Sequence, residues 1–162
     1  MPKSLLSPEV KACLDEAVHA ELYAANLYKH LANQLQRLGY FGAQRFFLAE
    51  SASELEHYQI HANYQNDSGT VASIPAIEAM DEPIGTLRDA IEAAYDTELQ
   101  LEKDYIRWYS ACAKDPVTAE FLLQFLRGQR KSVGEYGDLL SRLDLAGDDR
   151  AALLQIDNEL GK

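Results

Sequence analysis

Carboxylates, one histidine and one glutamine interrupt the apolar patterns of this chain, and these side chains are typical ligands of divalent metals. Glu21 falls inside the first apolar stripe, and Glu54 and His57 are three residues apart in the second, which places both on one helix face. Glu98 and Gln129 occupy similar places in the third and fourth patterns. Oxygen ligands with one imidazole suit Fe(II), Mn(II) or Zn(II), so these residues indicate a metal site.

Burial of several carboxylates needs compensation, because an unpaired buried charge is costly. The stripes contain no Lys or Arg except Arg130 and Lys131, so bound metal accounts for the carboxylates more simply than ion pairs do. A Glu in a helical pattern is usually solvated, and Glu54-x-x-His57 alone is a weak motif. The joint placement of one polar group or pair on each helix is what favours the metal.

The composition is that of one folded domain, which we expect to cover residues 1–162. The chain has 162 residues, of which 47% are hydrophobic and 25% charged, so it has enough apolar content for a core. No run approaches the roughly eighteen apolar residues of a membrane span, and Met1 to Pro8 does not resemble a signal peptide. We predict a cytoplasmic protein without a membrane partner. The formal charge of -11 argues against nucleic acid as a partner.

Helix start and stop signals divide the chain into long helical segments. Ser7 followed by Pro8 is a typical helix start, Gly39 is a typical end, and Thr86 with Asp89 resembles a capping box. The predicted helices span residues 8–38, 42–66, 87–114, 116–144 and 149–161. The apolar residues expected to face the core from the second helix are Phe46, Phe47, Leu48, Leu55, Tyr58, Ile60 and Tyr64. Cys13 and Cys112 are expected to be buried thiols without a chemical role.

Four helices of about 25 to 30 residues, each about 40 Å long, are expected to pack as a bundle. Short breaks join the first helix to the second and the third to the fourth, which gives two antiparallel hairpins. Residues 70–85, which contain Pro75 and Pro83, predict a long crossover that brings the third helix parallel to the second. The predicted fold class is all-α, with one long crossover and a short fifth helix.

Several segments resemble ferritin, and the resemblance covers nearly the whole chain. These segments are Glu21-Leu22-Tyr23-Ala24 with Tyr28, the run from Phe46 to His57, Gly137-Asp138, and Leu145-Ala146-Gly147-Asp148 followed by Ile156 to Leu160. The last of them is similar to the fifth helix of bacterial non-haem ferritins. The resemblance implies the ferritin-like bundle and a homo-oligomeric cage of twenty-four subunits that stores and detoxifies iron.

The resemblance also implies a ferroxidase centre that holds two irons per subunit and oxidises Fe(II) with O2 or H2O2. Glu21 and His57 would hold one iron, Glu54 would bridge the pair, and Glu98 with Gln129 would lie near the second iron. All five residues therefore count as catalytic and as metal ligands.

Further residues have secondary roles in the same comparison. Tyr28 corresponds to a tyrosine beside the iron pair, an electron donor to oxygen. Glu102 is the alternative to Glu98, because Leu101-Glu102-Lys103 resembles a stretch around that ligand in animal ferritins. Glu56 is either a nucleation carboxylate facing the cavity or a solvated residue, and Glu50 is a further candidate ligand.

Departures from the family pattern define what we do not expect. Ser53, Gly128, Lys131 and Ser132 stand where many bacterial ferritins carry carboxylates for a third iron site, so that site is expected to be absent. Leu55 stands where bacterioferritin has a haem-binding Met, so no haem is expected. Two alternatives remain open. One is a di-iron oxidoreductase or peroxidase of the rubrerythrin type, and the other is a non-catalytic shell subunit. The first is disfavoured because we expect only one Glu-x-x-His motif and because the chain lacks Cys-x-x-Cys.

Overall fold

The structure is a computed structural model that describes residues 3–162 as five α-helices. The helices are α1 (Pro8–Leu38), α2 (Phe41–Asp67), α3 (Leu87–Ala111), α4 (Pro116–Ala146) and α5 (Arg150–Leu160). These bounds differ from the predicted ones by at most three residues, the largest difference being the earlier end of α3. No strand occurs between residues 3 and 162, so the predicted all-α class is confirmed.

The helix ends follow from local chemistry. The Ser7 hydroxyl accepts a hydrogen bond from the Val10 amide (3.2 Å), and α1 ends where Gly39 adopts a left-handed φ of 91°. Thr86 and Asp89 form the predicted capping box at the start of α3. These caps fix where the long helices start and stop.

Contacts between the helices establish their directions. Along α1, Glu21 contacts Tyr105 of α3 and Tyr28 contacts Glu98, so α1 and α3 run antiparallel. The two-residue connection after α1 turns α2 back along it, and α2 is therefore parallel to α3. The predicted bundle, with its single long crossover and short fifth helix, is confirmed.

The core runs the length of the bundle and is rich in aromatic side chains. Tyr28, Phe47, Tyr105, Trp108 and Tyr136 are all buried in it. Such a core gives the polar groups between its rings little room to change orientation, because closely packed side chains resist rearrangement.

The prediction for α2 was partly wrong. Leu48, Leu55 and Ile60 are exposed, with relative accessibilities of 39%, 43% and 39%. The inward face of α2 consists of small and polar residues instead, namely Gly42, Ala43, Ser51, Glu54, His61, Ala62 and Gln65, together with Phe47. This face packs closely against α1 and also carries polar groups of the candidate site, so the apolar residues of α2 are divided between two faces.

The cysteine prediction was also only partly right. Cys112 is buried, whereas Cys13 is partly exposed. Cys13 lies near Glu16 and Arg107, two exposed residues where α1 meets α3, so its thiol is not enclosed by the core.

The crossover of residues 68–86 is attached to α1 at two points. The Ser73 amide and hydroxyl donate to Asp15 (3.0 and 3.2 Å), and the His30 ring contacts the carbonyl of Glu82 (2.7 Å).

None of the five helices described between residues 3 and 162 combines the length and the apolar character that a membrane span requires.

α5 provides a hydrogen-bond acceptor for the first turn of α2. Tyr40, the N-cap residue of α2, provides no side-chain cap, and the carboxylate of Asp157 in α5 accepts from the Ala43 amide instead (2.7 Å). Gly42 allows this approach, because a Cβ atom there would lie 1.8 Å from the Asp157 carbonyl oxygen. The fifth helix is therefore packed against the bundle as closely as backbone atoms allow.

Candidate metal centre

Glu21, Glu54 and His57 form one compact group in the middle of the bundle. Each offers a ligand atom within 4.8 Å of the others. His57 Nδ1 lies 2.8 Å from Glu54 Oε2 and 3.6 Å from Glu21 Oε2. Glu21 and Glu54 are buried, and the His57 side chain is 40% exposed. The helical spacing of Glu54 and His57 thus places them side by side, opposite a carboxylate from α1.

A second group adjoins this one on the α3–α4 side of the bundle. The Tyr28 hydroxyl donates to Glu98 Oε1, and the Gln129 amide donates to Glu98 Oε2. The same amide also donates to the Glu98 backbone carbonyl (3.1 Å). All three residues are buried. Helices α1, α3 and α4 therefore each supply one member of the group.

The pKa values of the site residues are shifted because several carboxylates are buried close together. Burial and the neighbouring Glu21 raise the pKa of Glu54 to about 8, even though the His57 hydrogen bond opposes them. Burial and the Glu54 charge raise the pKa of Glu98 to about 7. Burial alone would lower the pKa of His57, but the neighbouring Glu21 and Glu54 carboxylates raise it to about 10. In the described chain, no Lys or Arg forms an ion pair with these three carboxylates.

One carboxylate oxygen in the group has no hydrogen-bond partner. Glu21 Oε2 is fully buried and accepts no hydrogen bond, and the nearest cationic group is the His57 ring, whose Nδ1 lies 3.6 Å away. A buried carboxylate oxygen without a hydrogen bond is costly unless a cation lies beside it, and a bound metal ion would meet this need more directly than His57 at that distance. Hard oxygen donors with one imidazole suit a divalent transition metal, so the donor set fits Fe(II).

A cleft of about 340 Å³ between α2 and α4 leads to the group. The residues that line it include Glu54, His57 and Gln129 of the site itself and Glu50. The Tyr136 hydroxyl donates to Glu50 (3.3 Å), and burial raises the pKa of this carboxyl. Glu50 therefore lies beside the site. The lining also includes Ser53, Gly128, Lys131 and Ser132, the positions compared above with a third iron site.

The other candidates lie outside the group. Glu102 accepts three hydrogen bonds from Arg130, at 2.6 to 3.2 Å, whereas Glu98 points into the bundle. Glu98 is thus the α3 residue that the structure brings to the site. Glu56 is exposed on α2 and is not among the residues that line the cleft.

The expectation of a single Glu-x-x-His motif was wrong, because Glu16 to His19 is a second one, but this pair lies outside the site. Glu16 accepts from Arg107 and Trp108 (2.7 and 2.9 Å), and His19 is exposed. The motif alone does not identify the ligands, since its position relative to the bundle axis decides whether the pair faces inward.

Two polar side chains behind Glu21 are not among the residues predicted for the site. The Tyr105 hydroxyl donates to Glu21 Oε1, and the His61 ring lies 2.8 Å from the same hydroxyl. Tyr105 lies among apolar residues in the sequence, which give no sign of this contact. His61 had a usable signal, because it follows His57 by four residues and so lies on the same helix face.

Comparisons with known proteins agree with this architecture. A family model described as the ferritin-like domain matches residues 11–146. A probable bacterial non-heme ferritin-like protein of Haemophilus influenzae is 27% identical over 159 residues, which cover 97% of this chain and 96% of that protein. A ferritin of Pacifastacus leniusculus is 30% identical over 153 residues, covering 91% of this chain and 84% of that protein.

The solved structures give the same result. An open pore ferritin from the archaeon Archaeoglobus fulgidus superposes with a TM-score of 0.93 at 25% identity, covering 96% of this chain and 98% of that one. The family match spans most of the sequence and all four long helices of the bundle. The chain therefore belongs to the ferritin family.

Proposed function

We propose that this chain is the subunit of an iron-storage cage and that its buried carboxylate group binds Fe(II) while O2 or H2O2 oxidises it. The observation that carries the proposal is the compact group of Glu21, Glu54 and His57 in a buried, acidic site, in which Glu21 Oε2 accepts no hydrogen bond. The name of a similar Bacteroides fragilis protein, a bacterial non-heme ferritin, 26% identical over 160 residues, supports the same function.

Fe(II) is the substrate of this site, and each side chain has a specific part. Glu21 and His57 bind the first iron, and Glu54 bridges to the second. Glu98 binds the second iron, with the Gln129 amide beside it. The role that we assign to Tyr28, whose hydroxyl donates to Glu98, is that of a further electron donor to oxygen, in addition to the two electrons of the iron pair.

Two adjacent Fe(II) ions supply the two electrons that reduce O2 to H2O2, or that reduce H2O2 to water. Three carboxylates against two Fe(II) leave about one positive charge, and after oxidation about three, unless hydroxide or oxide compensates. This excess charge favours release of the ferric product. The cleft that exposes His57 between α2 and α4 is the exit that we propose.

The remaining parts of the proposal concern the assembly. The chain acts as a single domain that assembles with copies of itself, twenty-four in number, around a cavity where ferric mineral forms. The choice between O2 and H2O2, the absence of haem and the cytoplasmic location stay predictions.

Removal of one ligand tests the proposal. His57→Ala and Glu54→Ala are each expected to slow the rapid oxidation of the first two Fe(II) per subunit by about tenfold or more, because the paired site is broken. Stopped-flow absorbance after anaerobic Fe(II) loading measures this step. Glu102→Gln is the matched control, since this α3 carboxylate is paired with Arg130 and should leave the rate unchanged.

Three results separate the alternatives. Unchanged rates in both ligand variants would show that the site is misplaced. A wild-type protein without a rapid phase would instead be a non-catalytic shell subunit. A wild-type protein that keeps its two irons through turnover and forms no mineral would be a di-iron oxidoreductase.

A further inference from the structure

A buried hydrogen-bonded chain holds Glu21 from the side opposite His57. It runs from His61 on α2 through Tyr105 on α3 to Glu21 on α1, so it joins three helices of the bundle. The relative accessibility of His61 and of Tyr105 is 0%. Because the chain contacts only one of the two Glu21 oxygens, it leaves Oε2 as the oxygen that faces Glu54 and His57.

The direction of each hydrogen bond follows from counting protons. Tyr105 has one hydroxyl proton, and a Glu21 carboxylate that binds metal is ionised and can only accept. The Tyr105 proton therefore goes to Glu21 Oε1, and the bond between His61 and Tyr105 needs its proton on His61 Nε2. Nδ1 is then an unprotonated nitrogen, and it is the His61 atom that has no partner. The reverse order would leave a buried N–H donor unpaired, which is rare.

The surroundings of His61 keep its ring neutral and fixed. Phe125 stacks on it at a centroid distance of 4.3 Å, and Phe121 meets it edge-on at 5.3 Å. Burial lowers the pKa of His61 to about 3. The packing of Phe121 and Phe125 against the neutral ring fixes its orientation, so His61 Nε2 donates toward the Tyr105 hydroxyl.

From this geometry we infer that Tyr105 and His61 are positioning residues, which restrict Glu21 to binding metal through Oε2 alone. The inference rests on the proposed function, since it assigns the way in which one ligand of that site binds. Tyr105 occupies Oε1, so Glu21 cannot chelate one ion with both oxygens. His61 determines where the Tyr105 proton points.

The first test uses Co(II) as the probe, because its visible spectrum reports coordination number without turnover. In Tyr105→Phe, Glu21 is free to rotate and to bind through both oxygens. We expect Co(II) to bind about tenfold more weakly, as is typical when the partner of a ligand is removed. We also expect a lower visible absorbance per bound Co(II), since more highly coordinated Co(II) absorbs less.

Tyr64→Phe is the matched control for this variant. The Tyr64 hydroxyl contacts Thr118 (2.8 Å) and its ring stacks on Phe121, so this variant loses one partly buried hydroxyl of the same aromatic cluster without touching Glu21. It should bind Co(II) like the wild type. Wild-type affinity and spectrum in Tyr105→Phe would overturn the inference.

The second test leaves Tyr105 intact. His61→Leu removes the donor and should shift the Co(II) affinity and spectrum in the direction of Tyr105→Phe, whereas His61→Gln keeps an N–H donor near Nε2 and should restore both toward wild type. If His61→Gln is as defective as His61→Leu, His61 acts only through packing and the inference is wrong. If the wild-type protein itself binds no Co(II), the proposed function fails instead.

Discussion

At the scale of single residues, the site is defined by a contrast in exposure. His57 is the one proposed ligand whose side chain reaches solvent, at 40%, while Glu21, Glu54, Glu98 and Gln129 are buried. Metal and protons therefore compete for the same buried oxygens. A ligand that is protonated in the metal-free protein must lose that proton when metal binds.

This competition predicts opposite effects of pH on folding and on metal binding. The pKa values of Glu54, about 8, and Glu98, about 7, lie above that of an ordinary carboxyl, so the stability that their protonation provides is lost as pH rises through these values. The metal-free protein should therefore unfold at lower temperature at pH 8 than at pH 6, whereas Zn(II) should bind more tightly at pH 8.

Calorimetry of unfolding and of Zn(II) binding, at both pH values, measures the two effects. In Glu54→Gln, which cannot ionise, the loss of stability between the two pH values should be smaller. A Zn(II) affinity that does not change with pH would contradict this account of the site.

A second prediction concerns the proposed release of iron from the site. Gln129 and Ser132 both line the cleft beside His57, so Gln129→Glu combined with Ser132→His adds a carboxylate and an imidazole on the α4 side. The variant should retain about two irons per subunit through desalting, and its sustained mineralisation should be slower than wild type.

The single change Ser132→His is the control, since it adds an imidazole without a charge. Iron content after desalting and the rate of mineral formation are the measurements. Stable binding of two irons with mineralisation at the wild-type rate would show that scarcity of ligands does not govern release.

Sequence patterns identify some of the residues of the candidate site and not others. The spacing of Glu54 and His57 was sufficient to place them together, because helix geometry is local. The choice between Glu98 and Glu102 was not, since it depends on the facing helix, where Arg130 pairs with Glu102. Tyr105 had an apolar signature, and only the tertiary structure shows that its hydroxyl meets Glu21.

At the scale of elements, α2 and α5 depend on each other. The first turn of α2 lacks a side-chain cap of its own, and Asp157 of α5 accepts from the Ala43 amide. The predicted bounds of α5 were close to the observed ones, but its partner was not predictable, since the contact joins residues more than a hundred positions apart. α2 also carries Glu54 and His57, so the docking of α5 supports the helix that holds two ligands.

Gly42→Ala should loosen this docking. The added methyl would lie 1.8 Å from the Asp157 carbonyl oxygen, so the backbones must separate, at a cost of about 1 to 3 kcal/mol in the free energy of unfolding. Gly134→Ala in α4 is the matched control, because no atom lies within 4 Å of its added Cβ. The control should be stabilised by about 0.5 to 1 kcal/mol.

Denaturant titrations followed by circular dichroism give both free energies. Equal stability of Gly42→Ala and wild type would mean that α5 does not pack on α2 in solution as described.

At the scale of the whole molecule, the surface is suited to self-assembly. Several exposed apolar side chains lie on the helices and the crossover, among them Leu55, Ile74, Leu145 and Leu154. Contacts between copies of the chain would cover such residues.

The intact protein should therefore purify as a large hollow particle. Twenty-four subunits of 18.1 kDa give a mass of about 430 kDa. Light scattering coupled to size-exclusion chromatography measures this mass, and aerobic Fe(II) loading then gives the iron content per subunit. A stable monomer or dimer of the full chain would contradict the storage function.

The proposed ligands are distributed unequally over the two hairpins. Metal ions that bind ligands from both hairpins would therefore link the two halves of the chain. Glu21, Glu54 and His57 belong to the α1–α2 hairpin, and Glu98 and Gln129 belong to the α3–α4 hairpin. Only the exposed crossover, around Ile74, links the hairpins covalently. If a protease cuts the crossover, the two fragments should stay together more firmly with metal bound than without it, because ions held by ligands of both hairpins would cross-link the fragments reversibly.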